Sequence, residues 1–209
     1  MHARLQITRA FPATPDPAAV RHVIEKIAGQ PGFAGLYMME QLGLGSPTLL
    51  TLWHSRQDAD LAPQRTEVDL GPRPFTLQTD DVYELEDDWP GPAAAERPET
   101  VGMVYFDGPL SPAKAAAIGQ AGRSRIGPTL ARQPGLVRAL ALWHPEERKA
   151  VLACLAISIA ALDASLRTIN WTELLPGEEP VLLTGPDRGD LHRIVGHAAA
   201  PSAAGVRPA

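Results

Sequence analysis

Hydrophobic and polar positions alternate at the start of the chain. Arg4 to Phe11 puts Leu5, Ile7 and Phe11 on one phase, which predicts a strand with one buried face. From Pro15 to Gly29 the period becomes helical: Ala19, Val23, Ile24 and Ile27 form one stripe, while Arg21, Glu25 and Lys26 face water. Thr14 is placed as the N-cap, Pro15 as the first helical residue and Gly29 as the stop. Phe33 to Leu42 and Thr48 to Ser55 read as a hairpin joined by Gly43-Leu-Gly-Ser-Pro47. A short helix opens at Ser55, and Phe75 to Glu86 is the last strand of this set.

The same order recurs downstream. Thr100 to Asp107 is a strand, and Ser111-Pro112 opens a helix running to Leu130. This helix is longer than its counterpart and carries Gly119, Gly122 and Gly127, so it is expected to bend or split. Leu136 to His144 and Ala150 to Ser158 form the second hairpin, a helix opens at Ser158, and Leu191 to His197 is the final strand. Gln30-Pro-Gly-Phe33 returns as Gln133-Pro-Gly-Leu136, and the same offset aligns Leu52 with Leu155, Ser55 with Ser158 and Asp60 with Asp163 without a gap. Tyr105 is taken as the counterpart of Thr8.

The pattern is β-α-β-β-α-β twice, which predicts an α+β fold of two tandem ferredoxin-like repeats. The inner strands Thr48 to Trp53 and Ala150 to Ala156 are almost continuously apolar, so both sheet faces need cover. Helices supply one cover and the other repeat's sheet supplies the second, giving an intramolecular pseudo-dimeric α+β barrel. The expected organisation is a first repeat over 1–88, a Pro/Ala-rich linker over 89–99, a second repeat over 100–197 and a flexible tail over 198–209.

Composition narrows the function classes. The chain has 209 residues, 44% hydrophobic and 21% charged, which is globular. With 19 Lys+Arg against 24 Asp+Glu the net charge is -5, the wrong sign for a phosphate-binding surface, so nucleic acid is not an expected partner. The single Cys154 excludes an internal disulfide. No apolar run reaches the roughly 18 residues of a membrane helix and no signal-peptide block opens the chain, so a cytoplasmic protein without membrane contact is expected. Gly43-Leu-Gly-Ser has neither a P-loop lysine nor the dinucleotide glycine spacing, so no nucleotide or flavin cofactor is expected. His192 and His197 are five apart on a strand and cannot chelate one ion, so no metal is expected either.

Two segments carry a resemblance to a known family. Gln30-Pro-Gly-Phe33 closing the first helix, and Leu50-Thr-Leu-Trp-His-Ser-Arg-Gln-Asp-Ala59, resemble the antibiotic biosynthesis monooxygenase branch of the dimeric α+β barrel superfamily. The likeness covers residues 3 to 87 best. In the second half, where Ala156 stands at the Trp53 position, only the layout matches. The resemblance implies a small-molecule enzyme in which Trp53 lies against the substrate and Thr8 sits near the first-strand polar position. Haem-degrading members ligate iron through a second-helix His, and Gln57 to Leu70 contains none.

The candidate catalytic residues are therefore Trp53, Thr8, Arg9, His54 and Tyr105, with Tyr37, Tyr83 and Trp53 binding substrate. An indole can stack on a flat ring, an imidazole titrates near neutrality, strand tyrosines can hold a phenolate or peroxide, and Arg9 is a charge on an apolar phase. With these residues, the resemblance implies a cofactor-independent monooxygenase or oxidase acting on an aromatic polyketide-type phenol or quinol, with dioxygen as co-substrate. Two alternatives stay open: a non-catalytic ligand-binding or assembly module of the same fold, and a non-redox cyclase or isomerase. Association of pseudo-dimers into a further homodimer also stays open.

Overall fold

A computed structural model describes residues 1–8, 16–71 and 76–199. Arg9, the expected cap at Thr14 and Pro15, the start of the expected strand at Phe75, and the tail from residue 200 on lie outside the described residues. Eight strands close into a barrel: β1 (His2–Thr8), β2 (Phe33–Gln41), β3 (Pro47–Trp53), β4 (Leu77–Pro90), β5 (Thr100–Phe106), β6 (Leu136–His144), β7 (Lys149–Ala156) and β8 (Arg188–Ala199). Their order is β1-β3-β2-β8-β5-β7-β6-β4. The stretch β8-β5-β7-β6 is the ferredoxin-like order, so the expected α+β fold of two tandem ferredoxin-like repeats is the fold found.

The chain divides into two compact units, Met1–Val82 with the chain from Val195 on, and Tyr83–Ile194. In the first, Asp16 caps helix α1 (Pro17–Ala28), its side chain accepting the Ala18 N–H at 3.0 Å. Val20 and Ile27 are buried on the core stripe, whereas Ala19 is exposed, because at 3.6 residues per turn it lies about 80° round the helix from Ile27. Ser55 caps helix α2 (Arg56–Leu70), which runs for fifteen residues where a short helix is expected. The core joins Ile27, Phe33, Leu36, Trp53, Ala59, Ala62 and Val82.

The second unit repeats these devices. Gly32 and Gly135 both take left-handed φ values, +75° and +77°, at the corner into β2 and β6. Each corner carbonyl then accepts a backbone N–H from just past the inner strand: His54 to Gly32 at 2.8 Å, Ile157 to Gly135 at 3.0 Å. Equivalent register shifts follow, between Phe33 and Gly35 and between Leu136 and Arg138. Ser158 caps helix α5 (Ile159–Trp171) as Ser55 caps α2.

Three features of the chain bear on the site. The second-half helix splits at its glycines, as expected, into α3 (Pro112–Ala121), a π-helical turn (Gly122–Ile126) and α4 (Gly127–Leu130). β4 runs on through Asp88, Trp89 and Pro90 and pairs with β6, so the expected linker begins as sheet. Strand pairing also corrects the repeat equivalence: Ile7 faces Thr48 and Tyr105 faces Val151, so Tyr105 matches Ile7 and Thr8 matches Phe106. The loops after the two first strands differ in length, and aligning on them shifts the strands by one.

Two residues of this frame give stability predictions. A Cβ on Gly127 would lie 2.1 Å from Trp89 Cε2, so the indole rests on the backbone of α4. Gly127→Ala should cost roughly 2 kcal/mol by overpacking, read as a lower urea midpoint, with altered tryptophan emission. His192 on β8 is 1% exposed, and neither ring nitrogen has a partner among the described residues. Burial pushes its pKa down to about 4, with Asp190 opposing. The unfolded imidazole protonates below its ordinary value of 6.5, and the native one resists until about 4. Stability should therefore fall as pH drops through this window, by about 2 kcal/mol at pH 5 from this residue. Urea midpoints at pH 7 and pH 5 should differ less in His192→Leu than in the wild type.

Candidate active site

Among the described residues, those singled out from sequence are buried apart from His54, and they are dispersed rather than gathered. Trp53 is fully buried; its Nε1 donates to Thr51 Oγ1 at 2.8 Å and its ring meets Phe33 edge-on at 5.9 Å. Thr8 donates its hydroxyl to the Pro47 carbonyl at 3.2 Å. Trp53 pairs with His2 at one end of the β1–β3 ladder and Thr8 follows the pair Ile7–Thr48 at the other, which separates them by about 20 Å. His54 is exposed, just past β3. Tyr37 is buried mid-strand opposite Leu50.

The two tyrosines of the second unit are also enclosed. Tyr83 is edge-on to His144 at 5.5 Å with Lys149 Nζ 5.8 Å from its ring centre. Tyr105 lies beneath the Arg188 guanidinium at 3.5 Å, and its hydroxyl reaches Met103 Sδ at 3.6 Å. Burial, reinforced by Asp190, pushes the Tyr105 phenol up to about 12, so it stays protonated at neutral pH.

The second unit contains a cavity of about 600 Å³, and none of these residues lines it. Its floor is the helix-facing side of the sheet, where Val104 and Phe106 of β5, Ala141 and Trp143 of β6 and Leu152 of β7 alternate inward. Ile118, Gly119 and Gly122 of α3 and the π turn form one wall, and Leu166 and Ile169 of α5 another. Residues 172–186 complete it through Thr172, Glu173, Leu174, Leu183, Gly185 and Pro186. Three of the four tryptophans, Trp89, Trp143 and Trp171, reach this space.

Few polar side chains enter it. Strict alternation along β4 would present either Glu86 or Asp87, but the register shifts between Leu85 and Asp87, and both line the cavity. Asp87 is 4.0 Å from Arg123. Glu86 has no ion-pair or hydrogen-bond partner among the described residues; loss of solvent raises its carboxyl above the ordinary value, Arg123 opposing and Asp87 and Glu84 adding. Arg125 of the π turn lines the cavity but spends its charge on Glu178 at 2.8 Å. The lining thus carries three carboxylates, Glu86, Asp87 and Glu173, against one guanidinium already paired.

The sequence held two signals for this site. One was the row Gly119, Gly122 and Gly127, which lets the helix widen into a π turn and Trp89 approach α4. The other was Trp89 itself, set in a stretch whose prolines read as linker. The bulge at Glu86 had no signal, because it arises from cross-strand register.

No protein-family model and no curated protein matches the sequence. Solved structures do match over nearly the whole chain. A "putative monooxygenase" from Fusobacterium nucleatum aligns at a TM-score of 0.67 with 7% identity, covering 95% of this chain and 94% of that one. An anthrone oxidase-like protein aligns at 0.60 with 14% identity, covering 95% and 93%. A ferredoxin-fold protein related to antibiotic biosynthesis monooxygenases, from Listeria monocytogenes, aligns at 0.51 with 10% identity, covering 92% and 94%. Among the described residues no helix is long and apolar enough to cross a membrane. Strand order, tandem repeats and end-to-end alignment agree: the chain shares the ferredoxin-like fold of these monooxygenase-like structures.

Proposed function

We propose that the protein is a monooxygenase-like enzyme whose substrate, a flat hydroxyaromatic of the anthrone or quinol kind, occupies the cavity of the second unit. The observation that carries this reading is the cavity itself: about 600 Å³, mostly apolar, walled by indoles and fitted with an unpaired carboxylate at a sheet bulge. That volume suits a molecule of two or three fused rings. The anthrone oxidase-like neighbour supports the choice of chemistry.

The lining carboxylates also argue for a neutral substrate. An aromatic acid would bring a fourth negative charge beside three carboxylates, where the one lining cation is already engaged with Glu178. A neutral hydroxyaromatic instead has a proton to give, and Glu86 is the group able to take it. Once deprotonated, an anthrone carries its negative charge over the ring system and can itself pass an electron to dioxygen. Recombination at carbon gives a hydroperoxide, and loss of water leaves the quinone, so one dioxygen is consumed per quinone and water formed. No bound cofactor enters this balance. The protein's share is to hold the ring between apolar walls, accept the proton and keep bulk water away.

Anaerobic mixing of protein with anthrone, followed by addition of dioxygen, should give quinone absorbance faster than buffer alone. Ala141→Phe, which fills the cavity from its floor, should abolish saturable quenching of tryptophan emission by anthrone while far-UV dichroism is retained; unchanged quenching would move the site elsewhere. A carboxylated analogue should bind at least about tenfold more weakly than its neutral parent. Glu86→Gln should lower turnover by about 100-fold or more with binding changed only a few-fold. Because the carboxylate form is the active one and its pKa is raised, wild-type turnover should fall on acidification at a pH above the ordinary carboxylate range. An acid limb that persists in Glu86→Gln would assign the proton to another group.

A further inference from the structure

Residues 172–187 join α5 to β8 and supply one side of the cavity. The ends of this strap are fixed. At the start, the Thr172 hydroxyl donates to the Thr168 carbonyl at 2.7 Å. At the finish, the Asp187 N–H donates to the Tyr105 carbonyl at 2.8 Å and its carboxylate accepts the Asp107 N–H at 2.9 Å. Between them most residues are exposed, including the apolar Leu174, Leu175 and Val181, so apolar burial does little to hold the middle down.

The exception is Glu178. Its side chain is 7% exposed and accepts from Arg125 Nε at 2.8 Å; Arg125 is 9% exposed. A small turn presents the carboxylate: the Glu178 N–H donates to the Leu175 carbonyl, and the Leu175 N–H donates to Glu178 Oε2 at 2.9 Å. Among the described residues this is the only hydrogen-bonded tie from residues 173–186 to the rest of the fold. Glu178 Oε1 is buried and without a partner, so the carboxylate is only half satisfied when the strap lies closed. A buried pair of that kind gains little net energy over its hydrated, separated state, yet leaves a costly lone charge if one partner is removed. Gly177 and Gly185 flank the central part with φ of +91° and +84°, and a Cβ at either would meet nothing within 4 Å. Both are turning points with free space around them.

We propose that Arg125 and Glu178 form a latch which holds residues 172–187 across the cavity, and that its release sets the rate at which ligand enters and leaves. The proposal rests on the cavity being the ligand site, but not on the chemistry performed there. Arg125 and Glu178 are positioning residues in this scheme: they act on ligand exchange through the strap. A pair that gives up little net energy on opening can release often, and pairing again restores the closed wall over a bound ring.

N-phenyl-1-naphthylamine, a neutral apolar probe that brightens on burial, separates this proposal from the oxygenase reading because it asks for no turnover. In stopped flow, Glu178→Gln should raise both association and dissociation rates about tenfold or more, with Kd changed less than about threefold. The charge-swapped pair, Arg125→Glu with Glu178→Arg, should return the rates toward wild type. Equal rates in Glu178→Gln and wild type, or a weakened Kd with unchanged association, would overturn the latch. Hydrogen exchange reads the strap even if the probe binds elsewhere. Amides of Leu175, Glu178, Leu182 and Leu183 should exchange at least about tenfold faster in Glu178→Gln, with β5 to β7 unchanged. Failure of strap exchange to accelerate would refute the latch, whereas failure of anthrone turnover alone would leave it standing and refute only the chemistry.

Discussion

The fold depends on one backbone requirement met twice, the left-handed glycine that follows Gln-Pro at residues 32 and 135. No side chain sits comfortably at that φ, and the turn it permits aims a carbonyl at the residue just beyond the inner strand. That hydrogen bond fixes where β3 and β7 stop, and so where Ser55 and Ser158 must cap the next helix. Register follows from the same corner, since the bulge one residue later recurs in both repeats. With side chains alternating at period two, a corner displaced by one residue would exchange the core and outer faces of each inner strand.

On this shared frame the two units spend their interior volume differently. In the first, Trp53 stands on β3 against Phe33, Leu36 and the α1 stripe, and its only polar atom is satisfied within the strand. In the second, Ala156 takes that position and Trp89 comes from β4 to pack on the cluster formed by Leu130, Leu136, Ala139, Cys154 and Leu162. The indole is admitted because Gly127 lacks a Cβ, and the helix beside it has already widened into a π turn. What was one straight helix in the first unit becomes a broken wall in the second, and the cavity lies against that break.

This explains which parts were legible in the sequence. Strand and helix order, the duplication and the superfamily fold could be read because they rest on local periodicity, capping hydroxyls and the repeated Gln-Pro-Gly. The split of the second helix was legible for the same reason, since Gly119, Gly122 and Gly127 lie within one element. The cavity was not, because it is a property of volume left over between elements. Trp53 drew notice through its family motif, while Trp89 was hidden among prolines that break periodicity without breaking the strand. Glu86 could not be found from spacing at all: alternation assigns it the opposite face to Asp87, and only the shifted pairing with β6 brings the two together.

Solvent exclusion ties the proposed proton acceptor to the proposed latch. Glu86 is held above its ordinary value first by loss of solvent, with Arg123 opposing and Asp87 and Glu84 adding, so its basicity does not depend on Arg125. Arg125 acts instead through the strap: paired with Glu178, it keeps residues 172–187 against the cavity. Closing the strap completes the wall around a bound ring and keeps bulk water, the competing proton acceptor, away from it. In this arrangement proton transfer belongs to the closed state for steric and solvation reasons, and a single ion pair outside the floor of the site sets that condition.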